Sequence, residues 1–318
     1  MDKLLSVVIP AWNEEKTIPA AAEKILRVLD EAGIPCELVF VDDGSADGTW
    51  ACVTEARKRD DRVRGVRFSR NFGKEAALLA GLAAARGACC VTIDADLQHP
   101  PEKIVEMYRL WEEGWEVVEG VKASRGKESA SHRFSANLFY RLMERAIGYE
   151  MRDRSDFKLL DRRAVRALLS IPERNTFYRA LSAWIGFRST KVSFEVAQRT
   201  AGESKWNTAK LIRYAVRNIT SFTASPMQIV TSLGVLMLLF ALVLGVQSLV
   251  NKLSGHAAQG FTTVIIVVLL TGSIIMVSLG VMGHYIARMF EEVKARPRYI
   301  VAETLGEPED RIQKADLE

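Results

Sequence analysis

The 318-residue sequence has only four cysteines, and none stands at a spacing that would hold a metal. Cys89 and Cys90 are adjacent, a poor pair for a disulfide, and Cys36 and Cys52 lie in or beside strand-like and helical stretches. A structural zinc site and a disulfide framework are excluded, and the four read as small core residues of a reducing compartment. Excess charge is missing as well: 43 Lys and Arg face 39 Asp and Glu, a net of +4. No stripe of Lys and Arg interleaved with aromatics appears, which argues against nucleic acid as a partner. There is no Gly-x-Gly-x-x-Gly after the first strand-like run and no Gly-x-x-x-x-Gly-Lys-Ser/Thr anywhere, so dinucleotide and P-loop readings lose ground. The largest deficit is local, because between residues 226 and 290 only Lys252 and Arg288 carry charge.

That deficit divides the chain. With 48% hydrophobic and 26% charged residues overall, disordered and fibrous classes are ruled out. Residues 1–225 have the composition of a soluble domain, whereas residues 226–250 and 262–287 each supply more than the ~20 apolar positions that cross a bilayer core. The link "NKLSGHAAQGF" is short, so the two spans are expected to form a hairpin. Lys205, Lys210, Arg213 and Arg217 precede it and Arg288, Lys294, Arg296 and Arg298 follow, while the link offers only Lys252. The positive-inside rule then places the head and both termini in the cytoplasm. The N-terminus runs directly into a strand with no signal peptide ahead of it, which agrees with a cytoplasmic head.

From Thr208 to Phe222 the apolar residues Leu211, Ile212, Ala215, Val216, Ile219 and Phe222 share one helical face, with Lys210, Arg213 and Arg217 on the other. A basic amphipathic helix of this kind lies in the lipid headgroup plane or packs on the domain core. The expected organisation is a catalytic domain over 1–206, a juxtamembrane helix over 207–225, a membrane hairpin over 226–290 and a C-terminal tail over 291–318, mobile from Glu303 onward.

Within the head, Leu4–Ile9, Glu37–Val41, Val63–Phe68 and Ala88–Ile93 are strand-like, and helical stretches cover Glu14–Glu31, Ala46–Arg59 and "GKEAALLAGLAAARG". Later come a helix over Phe134–Ile147, a strand over Phe157–Leu160, a helix over Arg162–Leu169 and a strand over Thr190–Val196. Buried-type strands interleaved with helices predict an α/β fold, a mostly parallel sheet covered on both faces. Ligands of such sheets bind beyond the carboxyl ends of the strands. "AWNEE", "DDGS", "SRNFGK" and "DADLQ" all begin where a strand ends.

"DADLQ" carries two carboxylates one residue apart, which repel unless a cation or a proton intervenes. An extended backbone would put Asp94, Asp96 and Gln98 on one face, where they could share one Mg2+ or Mn2+ completed by water and substrate phosphates. The same residues also suit a plain strand-end turn before Pro100. "VFVDDGSADGTW" reads as a turn and helix cap, Ser45 or Asp47 being natural caps. Beside "VVIPAWNEE" it also reads as a nucleotide pocket, with Asp43 accepting from a base or ribose and Trp12 against the base.

Six ordered motifs, "VVIPAWNEE", "VDDGSADGT", "SRNFGKEAALLAGL", "DADLQHPPE", "SDFKLLDRR" and "RTAGESKW", resemble those of family 2 glycosyltransferases. The chain is most similar to the polyisoprenyl-phosphate group, which includes dolichol-phosphate mannose synthase and the enzymes that make undecaprenyl-phosphate glucose. The resemblance implies a GT-A, Rossmann-like fold and inverting transfer of a hexose from a nucleotide-diphosphate sugar to a polyisoprenyl phosphate. UDP-glucose is the favoured donor, with GDP-mannose or a UDP-N-acetylhexosamine as alternatives. It implies that Pro10, Trp12, Glu14, Asp43, Asp94 and Ala95 hold the nucleotide sugar and that Asp94, Asp96 and Gln98 bind Mg2+ or Mn2+. Lys122, where the family usually has arginine, would meet phosphate with Arg199 and Lys205, and Arg125, Arg133 and Ser135 would guide the acceptor phosphate. Asp156 matches the presumed catalytic aspartate. It takes the acceptor's last proton, holds the sugar, or braces Arg154 or Lys158. His99 departs from the pattern and is expected to stand behind the ligands. The bacterial cytoplasmic membrane, contact with the bilayer and a homo-oligomer are further implications. A processive synthase, a soluble transferase acting on proteins and a non-catalytic nucleotide-sugar scaffold are the competing readings.

Overall fold

The computed structural model describes residues 3–122, 154–173, 177–195, 225–254 and 261–306. The chain forms two units, one of Met1–Lys205 with Arg296–Glu318 and one of Trp206–Ala295.

Four strands of the first unit, β1 (Leu5–Ala11), β2 (Cys36–Asp42), β3 (Val63–Phe68) and β4 (Cys89–Thr92), are almost wholly buried, as their Val, Ile, Leu and Phe content requires. Between them run α1 (Ile18–Glu31), α2 (Thr49–Arg59) and α3 (Lys74–Ala84). On α1 the buried positions Ile18, Ala21, Ala22, Ile25 and Leu29 recur every three or four residues and form one apolar stripe. Val7 and Ile9 of β1 join Ile18 and Ile25 in one core cluster. Val8, pointing the other way, meets α3, where a side chain on Gly81 would put its Cβ 2.3 Å from a Val8 methyl. Both faces of the sheet are therefore covered.

After α4 (Glu102–Glu112) come β5 (Val117–Lys122), β6 (Arg154–Asp161), α5 (Arg162–Leu169), α6 (Tyr178–Trp184), β7 (Ser189–Phe194) and finally β8 (Val301–Leu305). Among the described residues eight strands form one sheet, ordered β7-β5-β6-β4-β1-β2-β3-β8. Six run one way and only β6 and β8 are reversed, so the sheet is the mostly parallel, Rossmann-like one that the sequence predicts. Register brings the chemistry to one edge. Ala11 pairs with Asp42 and Val8 with Thr92, which aligns the carboxyl ends of β1, β2 and β4. Because β6 is reversed, Lys158 pairs with Thr92, and Asp156 at the start of β6 emerges beside Asp94 at the end of β4.

Local differences from the sequence reading have identifiable causes. The helix predicted from Glu14 starts at Ile18, and that predicted from Ala46 starts at Thr49. Residues 13–17 and 45–49 instead exchange side-chain hydrogen bonds with each other, which compete with helical ones. The stretch expected to be mobile from Glu303 begins inside β8, which pairs antiparallel with β3 and covers that edge, while residues 307–318 lie outside the described residues. Glu303 accepts from Trp50 Nε1 (2.8 Å) and Arg67 Nη1 (2.7 Å), and Tyr299 stacks on Phe68 with centroids 5.0 Å apart. The predicted helix over Phe134–Ile147 and the amphipathic helix over 207–225 lie outside the described residues.

In the second unit α7 (Ser225–Leu253) and α8 (Phe261–Val293) pack on each other. Their apolar windows, Val230–Gln247 and Leu270–Val293, are long enough to cross a membrane and are not buried by protein. A helix of 29 residues is about 43 Å long, beyond the ~30 Å of a hydrocarbon core.

Tyr299 is 6% exposed, so Tyr299→Ala removes a buried aromatic from the β3 edge at a cost of about 3 kcal/mol. The expected result is a lower thermal unfolding midpoint of the full chain. An unchanged midpoint would show that the Tyr299–Phe68 stack adds nothing to the β3 edge.

Candidate active site

Beyond the carboxyl ends of β1, β2 and β4 lies a pocket of about 440 Å³, a size ordinary for small-ligand sites. Its wall includes Pro10, Trp12, Glu14, Asp43, Asp94, Ala95 and Asp96, so the predicted nucleotide-sugar residues converge. Trp12 is 56% exposed, which leaves an aromatic face at the mouth. The loop that carries it is fixed from the neighbouring one: the Asn13 N–H donates to Ser45 Oγ (2.9 Å), the Ala46 N–H to Asn13 Oδ1 (3.0 Å) and the Glu14 N–H to Thr49 Oγ1 (2.8 Å). Glu14 itself accepts from the Thr17 hydroxyl at 2.7 Å.

Asp43 holds the next loop in place. Its Oδ1 accepts from the Phe72 N–H (2.7 Å) and its Oδ2 from the Gly73 N–H (2.9 Å). Burial raises its pKa, and those two bonds pull the other way. The loop passes so close to Gly44 that a Cβ there would lie 2.3 Å from the Arg70 carbonyl carbon, and its φ of +63° suits glycine. Asn71, Gly73 and Lys74 thereby join the pocket wall.

"DADLQ" does not continue as an extended strand. The chain turns at Ala95 and Asp96, Leu97 has φ +55°, and the Gln98 N–H donates to Asp96 Oδ1 at 3.1 Å. Asp94 and Asp96 face the pocket but Gln98 is not on its wall, so the alternation that would align all three is broken by the turn. Among the described residues no three His, Cys, Asp or Glu side chains cluster as a metal cage. His99 lies behind, 8% exposed, 5.1 Å from the rings of Phe157 and Phe194, with Nδ1 4.0 Å from Asp94 Oδ2.

Asp156 sits in a cluster of opposite charges. Arg179 grips it with both prongs, Nε to Oδ1 at 2.7 Å and Nη2 to Oδ2 at 2.8 Å. Lys74 Nζ bridges Asp156 Oδ2 (2.9 Å) and Asp94 Oδ1 (2.5 Å). Burial alone would raise the Asp156 pKa, but the Arg179 fork and the Lys74 charge outweigh it and hold the carboxyl well below the usual range. Lys158, one of the two cations that Asp156 is expected from the sequence to brace if it does not take a proton or hold the sugar, is fully buried and donates to Ser182 Oγ at 2.6 Å. Lys122 is exposed at the end of β5, and Arg125, Arg133, Ser135, Arg199 and Lys205 lie outside the described residues.

The chain matches Glycosyl transferase family 2 over residues 6–169. It belongs to that family. An uncharacterized glycosyltransferase of Synechocystis is 37% identical over 95% of this chain and 96% of its own length. A prophage bactoprenol glucosyl transferase homolog of Escherichia coli is 33% identical over 93% and 97%. Among solved structures, glucosyl-3-phosphoglycerate synthase from Mycobacterium tuberculosis with Mn2+ and UDP-glucose gives a TM-score of 0.47 at 23% identity, covering 67% of this chain and 75% of that one.

The site of this glycosyltransferase includes residues that sequence reasoning passed over. Lys74 is the first residue of α3, where the helix dipole disfavours a cation. That misplacement is a readable irregularity inside a motif already noted. Arg179, in "FYRALSAW", carried no such signal, because its contact with Asp156 spans 23 positions and two elements. Glu75, next to Lys74, accepts from the Tyr178 N–H at 2.8 Å and so ties α3 to α6. Burial and then repulsion from Asp156 push its pKa up from 4.5 to about 7.

A carboxyl with a raised folded-state pKa binds more protons folded than unfolded, so it subtracts stability as pH climbs from about 4.5 to about 7. Glu75→Gln keeps an acceptor for Tyr178 without that penalty. The variant's advantage in thermal midpoint over the parent should grow from pH 5 to pH 8, and a constant difference would contradict the assignment.

Proposed function

We propose that this glycosyltransferase moves a hexose, with UDP-glucose as the favoured donor, onto the phosphate of a polyisoprenyl lipid such as undecaprenyl phosphate, inverting the anomeric carbon. One observation carries the reading: the likeness to the Escherichia coli bactoprenol glucosyl transferase homolog spans 299 residues, so it takes in the apolar helices as well as the pocket. The helices then have a task, since the acceptor's lipid never leaves the bilayer. Both segments flanking them belong to the same sheet-containing unit, which supports a two-pass hairpin with both flanks on one side. The basic residues around it favour the cytoplasmic side.

The chemistry follows from the pocket. Trp12 offers a face for the base, and Glu14 and Asp43 offer carboxylates for the nucleoside. Asp94 and Asp96 fit a Mg2+ or Mn2+ ion of the kind that takes one or two carboxylates and completes its shell with water and substrate phosphates. Such an ion would supply positive charge to the departing diphosphate. Lys122, with Arg199 and Lys205, would add to it. The acceptor phosphate, with a second pKa of about 6, is mostly dianionic at neutral pH and is its own nucleophile. Asp156, ionised and gripped by Arg179, then serves as a fixed anion that orients cations at the reacting centre rather than as a proton acceptor. A single displacement from the face opposite the diphosphate inverts the configuration. Arg125, Arg133 and Ser135 are assigned to the acceptor phosphate on the resemblance alone.

The test is transfer by the purified, detergent-solubilised chain from labelled UDP-glucose, UDP-N-acetylglucosamine and GDP-mannose to undecaprenyl phosphate. UDP-glucose should give an organic-soluble, acid-labile product, and Asp96→Asn should lower the rate at least about 100-fold. Lipid product from another donor alone would correct the sugar. Hydrolysis without lipid product would overturn the acceptor.

A further inference from the structure

The bridge from Lys74 to two carboxylates is unusual in a pocket meant to receive another cation. Asp94 leaves the end of β4 and Asp156 the start of β6, and one ammonium touches both, at 2.5 and 2.9 Å. Without it, two neighbouring carboxylates would repel, and among the described residues only Asp156 has a second cation, in Arg179. Asp43 fixes the stem of this lysine by holding the Phe72 and Gly73 N–H groups just ahead of it. The side chain is 43% exposed and lines the pocket, so its head can change partners without leaving the wall.

We propose that Lys74 is a positioning residue that stands in for a divalent ion in the donor-free site and makes binding of that ion depend on the donor. The inference rests on the metal-assisted reading above. An ion that takes Asp94 must displace the ammonium from its Oδ1 or sit beside a like charge. The donor resolves this conflict, because its diphosphate gives both cations new anionic partners. Lysine suits the exchange, since its three donors rotate about a flexible stem and can keep Asp156 while releasing Asp94. Ion and donor therefore bind as a pair, and a bare ion finds the site already balanced.

The experiment is Mn2+ binding to the full chain in detergent, read from the spectrum of the free ion by electron paramagnetic resonance, with and without saturating UDP. The parent should bind Mn2+ weakly alone and at least about tenfold tighter with UDP, within the usual 5- to 150-fold span of coupled sites. Lys74→Met should bind Mn2+ alone about tenfold tighter than the parent, with the UDP enhancement reduced by a similar factor. Lys74→Arg keeps the charge and should restore the parent pattern, and Lys58→Met, an exposed lysine on α2, should change nothing. If the parent binds Mn2+ with UDP while Lys74→Met is unchanged or weaker alone, the role of Lys74 is overturned and the metal reading stands. If Lys58→Met moves binding as much as Lys74→Met, the effect is general charge and the proposal fails. If no form binds Mn2+ even with UDP, both fall.

Discussion

The ion network centred on Asp156 is the constraint on which the rest of the site depends. Three cation contacts, two from Arg179 and one from Lys74, converge on a carboxylate that is nearly out of solvent. Either cation alone still pairs Asp156, but losing both would leave a buried charge unbalanced, which costs far more than a surface pair returns. The network also joins distant parts of the chain: Lys74 comes from α3, Arg179 from α6, Asp156 from β6 and Asp94 from the end of β4. A reversed β6 is what makes this possible, because in a fully parallel sheet the start of that strand would lie at the opposite edge.

Around that centre, each loop is held by another. Asp43 orders the backbone that presents Lys74, and the bare Cα of Gly44 lets the same loop pass. On its far side the loop adjoins Phe68, which stacks on Tyr299, and the Ser69 N–H donates to the Ile300 carbonyl at 3.0 Å. The chain that follows the two apolar helices thus supports the β3 edge and the start of the loop that lines the pocket. A fixed arrangement of this kind suits the proposed reaction, whose nucleophile is already an anion. What the protein would have to supply in that reaction is position and countercharge.

Much of the fold was legible in the sequence, because the information was local. Continuous apolar runs marked β1 to β4, three- and four-residue spacing marked α1, and the near absence of charge marked α7 and α8. Motifs at strand ends pointed to one edge of the sheet, and Pro10, Trp12, Glu14, Asp43, Asp94, Ala95 and Asp96 do meet there. Long-range pairings were not legible. A five-residue strand of mixed polarity such as β8 exists only because β3 offers it an unpaired edge. The turn in "DADLQ" could not be told from an extended end, since both satisfy the same alternation and Leu97 gives no hint of a positive φ. Arg179 was invisible for the same reason as β8: nothing within its own segment records the carboxylate it grips.

In the proposed reaction Asp156 is a fixed anion and the lipid phosphate is its own nucleophile. The most direct measurement is the pH dependence of kcat/KM for the acceptor, compared between undecaprenyl phosphate and its phosphonate analogue, whose second pKa is higher. The expected profile has an acid limb near pH ~6 for the phosphate that moves upward with the phosphonate. A limb that stays at the same pH for both acceptors would belong to a base on the enzyme and would contradict it.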